Sequence, residues 1–334
     1  MKRFFLLAVV LLFSAASLSG LDNKYDKYFS FKLTPQFEIA NGLIQEYVFD
    51  PKCKNTDNKL SQLDWHLSTI ALFNLQADFD ILRFGALGFT VTAGVPQRSN
   101  YMQDYDWQNS VTTAWLNDDP TELTNFSEHV NHLDKFINYK LYLGGNIYLP
   151  LEIKITPYLG YQYEFIRFTG SQGYGEYKNK KKGIDKLDFA GNVISYEQEL
   201  NTFILGIKLL VNSIPRTSIN LDFDISPNMT YLNAIDYHYV NGAGGAYGTA
   251  FKDSFKNLML IDSSLIAQYR FTKNHSAGIS GRIQYIPLSK GTTSSRVIDK
   301  NGNFKTDEWQ PIKSSYGGTE RFIWSFGFNY SFSL

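Results

Sequence analysis

Two pairs of polar residues, each with its members two positions apart, have the residue types that hydrolytic chemistry needs. Asp104 and Asp106 lie in "YMQDYDWQNS", and Asp236 and His238 lie in "AIDYHYVNG". In an extended chain, side chains at this spacing point the same way. A histidine oriented by a carboxylate can act as a general base, and two adjacent carboxylates share protons. Together the four side chains could activate a water molecule and stabilise the oxyanion that forms.

The same residue types also have simpler uses. An Asp-x-Asp in a polar connection is most often solvated, and three carboxylates with one histidine can also bind a metal ion. Zinc favours histidine and cysteine ligands, so this set would make a poor zinc site. We therefore expect no metal and no other cofactor. The choice between solvated loops and chemistry depends on the architecture that positions the two pairs.

The first twenty residues, "MKRFFLLAVVLLFSAASLSG", combine two basic residues, a short apolar run and a tail of small residues. This arrangement is typical of a secretory signal peptide. We expect residues 1–20 to be the signal peptide and residues 21–334 to form one outer-membrane barrel domain. The single cysteine, Cys53, excludes an intramolecular disulfide.

Strict alternation of apolar and polar residues predicts an all-β chain. In "RFIWSFGFNYSFSL" the aromatic residues fall on one face and Ser, Gly and Asn fall on the other. In "SINLDFDIS" the alternate positions carry carboxylates, which a barrel lumen tolerates and lipid does not. About ten such segments occur, with short and long connections in turn. The pattern predicts a ten-stranded antiparallel transmembrane β-barrel with long extracellular loops.

Composition narrows the possible partners. The chain has 26 Phe and 22 Tyr but a formal net charge of +0. Zero net charge argues against nucleic acid as a partner, and the aromatic content suits an outer-membrane protein. We expect a monomer in the outer membrane with its chemically interesting residues on the extracellular side. A diffusion channel is a weaker alternative, because a barrel of about ten strands is filled by its own side chains.

Several quoted segments resemble the omptin family of outer-membrane endopeptidases. They are "SQLDW" (61–65), "MQDYDW" (102–107), "GYQ" (160–162), "DYH" (236–238) and the terminal "FGFNYSF". An isolated Asp-x-Asp is weak evidence. Asp-x-Asp-Trp and Asp-x-His in the expected connections of a ten-strand pattern are much more specific.

The resemblance implies an endopeptidase that cleaves surface-accessible peptides and proteins, without a serine or cysteine nucleophile. Asp104, Asp106, Asp236 and His238 would be its catalytic residues. "QEYVF" is similar to the family's first-strand segment and places Glu46 in a pocket for a basic side chain before the scissile bond. The family has a second pocket acid two positions before the Asp-x-His aspartate, and this chain has Ala234 there. A shallower preference for Lys and Arg is therefore expected.

Two further departures leave alternatives open. The loss of the acid at position 234 favours a second hypothesis, a catalytically silent barrel that acts as an adhesin for host proteins. The family also binds lipopolysaccharide through charged residues on its fifth strand, where this chain has Tyr163 and Phe165. A lipopolysaccharide requirement is therefore not carried over. The basic run Lys178–Lys182 suits a solvated loop, an anionic surface or a site of self-cleavage.

Overall fold

The computed structural model describes residues 29–53, 58–82, 84–108, 122–179, 183–239 and 247–334. The predicted signal peptide and residues 180–182 of the basic run lie outside these ranges. Within them the chain forms strands and turns without an α-helix. No helix in this part of the chain is long and apolar enough to cross a membrane. The strands are β1 (Phe29–Phe49), β2 (Lys59–Ile81), β3 (Gly85–Gly94), β4 (Gln97–Asp106), β5 (Asn125–Gly145), β6 (Ile147–Leu149), β7 (Ile153–Asn179), β8 (Gly183–Val211), β9 (Thr217–His238), β10 (Gly248–Arg270), β11 (His275–Lys290), β12 (Thr292–Ile298), β13 (Gln310–Ile312) and β14 (Tyr316–Ser333).

These strands close into one antiparallel ring. The last strand, β14, pairs with β1 on one side and with β11 on the other, so the sheet returns to its start. Strands β3 and β4 follow one another along the same wall, as do β5 and β6, and β11 and β12. The result is a barrel of about ten strands, as the sequence predicts. Tight turns join the strands at one end, which we call the turn end. The opposite end is the site end.

A wide apolar belt surrounds the barrel nearer the turn end. Its members are large apolar side chains that remain exposed: Phe37, Phe73, Phe89, Leu141, Leu143, Leu159, Phe203, Leu205, Ile207, Phe223, Leu265, Ile279, Ile283, Phe322, Trp324, Phe326 and Phe328. Toward the site end the outward positions become polar. Asp64, for example, accepts hydrogen bonds from Gln45 and Gln62 at 2.9 and 2.8 Å. The strands therefore continue well beyond the part of the wall that suits lipid.

Charged side chains fill the lumen at the level of this belt. Lys140 contacts Asp222 at 3.3 Å and also pairs with Asp224, and Lys208 contacts Asp78 at 2.7 Å. Each buried cation has a carboxylate partner, which offsets the cost of removing both from water. The cavity beside Lys140, Asp222 and Asp224 has a volume of about 40 Å³, and so small a space disfavours the channel hypothesis.

The strands extend further toward the site end than the sequence predicts. Asp104 and Asp106 were expected in a loop, and Asp236 and His238 in another, but all four lie within β4 and β9. The strand ladders continue there, pairing Asp104 with Leu63 and Asp236 with Phe251. The sequence does not reveal this continuation of the strands. Above the apolar belt the outward face no longer contacts lipid, so the alternation of apolar and polar residues is lost. Strand backbone positions the candidate residues more rigidly than a loop would.

A lumen substitution tests the paired-charge interpretation of the barrel interior. Lys140→Ala leaves Asp224 buried without its cation and leaves Asp222 with only Lys208, at 3.8 Å. We therefore expect a loss of about 3–5 kcal/mol in the free energy of unfolding. Urea titration of the refolded protein measures it. The double variant Lys140→Ala/Asp224→Asn should recover part of the loss. A change below about 1 kcal/mol in the single variant would show that the pair is solvated.

Candidate active site

The Asp236–His238 pair forms at the site end of β9. Nε2 of His238 is hydrogen-bonded to Oδ2 of Asp236. Asp236 is buried at 3 % exposure, whereas the side chain of His238 is 35 % exposed. The imidazole also packs edge-on against Phe251 of β10, with ring centroids 5.4 Å apart. The acid therefore fixes the ring from below, and the other ring nitrogen remains for a water molecule.

The Asp104–Asp106 pair lies on β4, which pairs with β2 and β5. Both side chains are half-buried. Ser61 of β2 donates to Oδ1 of Asp104 at 3.4 Å, and Asn125 of β5 donates to Oδ2 of Asp106 at 3.1 Å. Gln108 adds a second donor to Asp106 at 3.2 Å. Neighbours on both sides thus hold the two carboxylates on the inner face of the wall.

The Asp104–Asp106 pair influences the protonation of His238. Burial alone would lower the pKa of His238, but the carboxylates of Asp236, Asp104 and Asp106 outweigh it and raise that pKa to about 9. This influence requires the Asp pair on β4 to lie near the imidazole on β9, although the two strands are not neighbours in the sheet. The structure therefore brings together the four residues that the sequence singles out.

The two aspartates of β4 differ in their ability to hold a proton. Burial and the adjacent charge of Asp106 raise the pKa of Asp104 well above its usual range. Burial also raises the pKa of Asp106, but hydrogen bonds from Asn125, Ser61 and Gln108 work against this rise. Hydrogen-bond donors favour the ionised form of a carboxylate. These donors therefore favour the ionised form of Asp106 over that of Asp104.

Glu46 lies on β1, lower in the same cleft and 4 % exposed. Burial and the charges of Asp236 and Asp253 raise its pKa well above the usual range. Beneath it, a stack of Trp65, Tyr196 and Phe168 crosses the barrel, with centroid separations of 5.4 and 5.8 Å. This aromatic stack forms an apolar floor that separates the cleft from the charged lumen. Buried carboxylates above an apolar floor make a site that suits a cation.

The sequence did not single out several residues of this cleft. Ser61 and Asn125 bind the Asp pair, yet serine and asparagine are too common in polar segments to be recognised there. Asp253 of β10 was also missed. No motif in the sequence marks Asp253. No group of three or more His, Cys, Asp or Glu with the geometry of a metal site occurs in the described ranges.

Comparisons with known proteins agree with the architecture. The plasminogen activator of Yersinia pestis is 23 % identical over 283 residues, which are 81 % of this chain and 80 % of that protein. The outer membrane protease IcsP of Shigella flexneri is 27 % identical over 266 residues, or 76 % of each chain. The crystal structure of outer membrane protease OmpT from Escherichia coli superposes with a TM-score of 0.74 at 20 % identity, covering 94 % of this chain and 99 % of that one. This last likeness shows the fold.

A family model described as the Omptin family matches residues 30–332, which is nearly all of the described chain. Together with the barrel and the named relatives, this match establishes that the chain belongs to the omptin family of outer-membrane proteases.

Proposed function

We propose that the protein is an outer-membrane endopeptidase that cleaves peptides and proteins beside basic residues, with water activated between Asp236–His238 and Asp104–Asp106. One observation carries the proposal: a half-exposed histidine bonded to a buried carboxylate faces a carboxylate pair across one cleft. A general base must reach both its orienting group and a water molecule, and this geometry provides both.

The hydrolysis follows from these positions. His238 in its neutral form takes a proton from the water molecule as the oxygen attacks the peptide carbonyl. Asp236 orients the ring and stabilises the imidazolium that results. Asp106, held ionised by Asn125 and Gln108, orients the water. Protonated Asp104 donates a hydrogen bond to the developing oxyanion, and the imidazolium later returns its proton to the leaving amine. This is aspartic-type chemistry without a covalent intermediate.

Glu46 supplies the preference for basic side chains in this proposal. Its carboxylate is buried above the aromatic stack, where a Lys or Arg head group would find little water. A cation in such a place is stabilised only by direct pairing with an acid. The proposed substrate therefore enters from the site end with its basic side chain pointing down the cleft, and the scissile bond lies above, between the two pairs.

The shape of the barrel also bears on its orientation in the membrane, its oligomeric state and its lipid contacts. The site end lies beyond the apolar belt, so we propose that it faces the cell exterior, where long substrates can reach it. Within the described residues, the strands that carry the apolar belt are paired on both sides by the closed ring, which supports a monomer. Tyr163 and Phe165 occupy outward positions on β7. Aromatic side chains there suit lipid tails better than phosphate groups, so a strict requirement for lipopolysaccharide is not proposed.

Replacement of the histidine tests catalysis directly. His238→Ala should lower kcat/KM for a quenched fluorescent peptide by about 10³-fold or more, because the general base is lost. The heat-modifiable electrophoretic mobility of the folded barrel should be unchanged, because the imidazole ring takes no part in the backbone hydrogen bonds of the strands. Cleavage by the unmodified protein should survive chelators and serine-protease reagents. Cleavage lost to a chelator and restored by zinc would favour a metal site instead. A folded unmodified barrel that cuts nothing yet binds host proteins would favour the adhesin hypothesis.

The pH profile tests the electrostatic assignment. Only neutral His238 can accept a proton, so activity falls as pH drops below its pKa, which the surrounding carboxylates raise to about 9. We therefore expect kcat/KM to rise from neutral pH through an inflection near pH 9. Asp236→Asn removes the nearest of these charges. The maximum kcat/KM of this variant should be lower. The inflection of its pH profile should move toward the ordinary pKa of histidine, near 6.5. An inflection that stays in place would assign the profile to another group.

A further inference from the structure

A third carboxylate joins Glu46 and Asp236 in the cleft. Asp253 of β10 lies directly opposite Ala234 of β9 in the antiparallel ladder, and its side chain is 3 % exposed. Directly opposed residues on paired strands have Cβ atoms about 4.5–5.5 Å apart and point to the same face. Asp253 therefore presents its carboxylate to the same part of the lumen wall as position 234, from the neighbouring strand.

A bulge in β10 turns Asp253 inward. Asn257 has a positive φ of 61°, and the pairing with β9 shifts register between Phe255 and Leu258. Below the bulge, Leu260 and Asp262 are buried, at even-numbered positions, whereas directly above it Phe255 and Asp253 are buried, at odd-numbered positions. One extra residue at a bulge reverses which side chains face inward. Without it, Asp253 would point away from the cleft.

The nearby strand β14, which β11 separates from β10, leaves room for this carboxylate. A Cβ added at Gly317 of β14 would lie 2.1 Å from Oδ2 of Asp253. Any other residue at position 317 would therefore displace the acid. Thr319, the next inward residue of β14, pairs with Glu46 of β1. Asp253 and Glu46 thus approach the same short stretch of β14 from its two sides, and their charges interact.

Each carboxylate of this cluster has one buried oxygen atom without a hydrogen-bond partner. Oδ1 of Asp253 and Oε2 of Glu46 are buried without a hydrogen-bond partner, as is Oδ1 of Asp236. No ion pair between described residues includes Glu46 or Asp253. Arg321, the buried cation one step further down β14, is already paired with Glu164. Burial, together with the charge of Asp236, raises the pKa of Asp253 to about 7.

We propose that Asp253 is a specificity-determining residue: it acts with Glu46 as the second carboxylate that receives the Lys or Arg side chain before the scissile bond. The inference rests on the proposed endopeptidase function and replaces the expectation of a shallow preference, which considers position 234 alone. Two carboxylates on opposite sides of a guanidinium can satisfy several of its five donors, and one carboxylate cannot. A substrate cation also supplies the partner that all three orphaned oxygens lack.

Matched peptides separate charge from shape in the test. Four quenched peptides carry Arg, Lys, citrulline or Ala before the scissile bond, citrulline being a neutral analogue of arginine with nearly the same shape. Asp253→Asn should lower kcat/KM for the Arg and Lys peptides by about 10–100-fold, the range of a hydrogen bond to a charged group. The citrulline peptide should change less than about threefold. Asp64→Asn, a carboxylate on the outer face of β2, is the matched control and should change neither value.

A relocated acid gives the complementary result. The double variant Asp253→Asn/Ala234→Asp moves the carboxylate to the opposed residue of β9 and should restore most of the Arg-to-citrulline ratio. A ratio that Asp253→Asn leaves within twofold of the unmodified enzyme, while Glu46→Gln collapses it, would overturn the proposal. If Asp253→Asn fails to show heat-modifiable mobility, Asp253→Ser serves in its place.

Binding of agmatine, an arginine side chain without its backbone, separates this proposal from the proteolytic one. Calorimetry with the folded His238→Ala variant measures the pocket without any turnover. Addition of Asp253→Asn should weaken agmatine binding by about 10–100-fold. If the unmodified protein cleaves no peptide but Asp253→Asn still weakens agmatine binding, the proteolytic proposal fails and the cation pocket stands. Equal agmatine affinity with and without Asp253→Asn would overturn the assignment whether or not the protein cuts peptides.

Discussion

A wall that crosses lipid must satisfy every backbone N–H and C=O within itself, because hydrocarbon offers no partner. Here the requirement is met by a ring in which β14 returns to β1. Closure fixes the direction of every side chain, since successive residues alternate between lipid and lumen. The strand ladder therefore also fixes the positions of the candidate site residues. Asp104, Asp236 and Glu46 are held by strand backbone, and the ladder carries them above the apolar belt without a loop.

Buried charges are paired in the lumen, whereas in the cleft buried acids are clustered together. Within the belt, Lys140, Lys208 and Arg282 each have a carboxylate partner, and the pairs brace the walls. In the cleft above the aromatic stack, acids gather, and among the described residues His238 is the cation that pairs with them. Unpaired buried carboxylates lower stability, so they persist where function requires them. Paired charges thus stabilise the lower half of the barrel, and the gathered acids of the upper half fit the proposal that a positive ligand binds there.

Sequence alone could predict the parts of this arrangement that repeat. Long apolar alternation, as in the last strand, gave the strand number and the closed architecture, and the two spaced pairs identified the four central residues. The upper ends of the strands could not be predicted, because polar side chains on both faces look like loop. The inward direction of Asp253 could not be predicted from the sequence for a different reason. The bulge at Asn257 reverses the inward face of β10, and nothing in the local pattern marks the reversal.

The relation between Asp253 and Ala234 also limits what position-by-position comparison can detect. A pocket recognises a charge at a point in space and not at a point in the chain. In a sheet, the nearest alternative to a given residue is the opposed residue of the next strand, only about 5 Å away on the same face. An acid can therefore be lost from β9 and supplied by β10 while the field felt by a bound cation changes little. The lumen then imposes one further condition, that β14 provide space, and Gly317 meets it. In barrels of this kind, a missing functional residue should be sought first at the opposed position of each neighbouring strand.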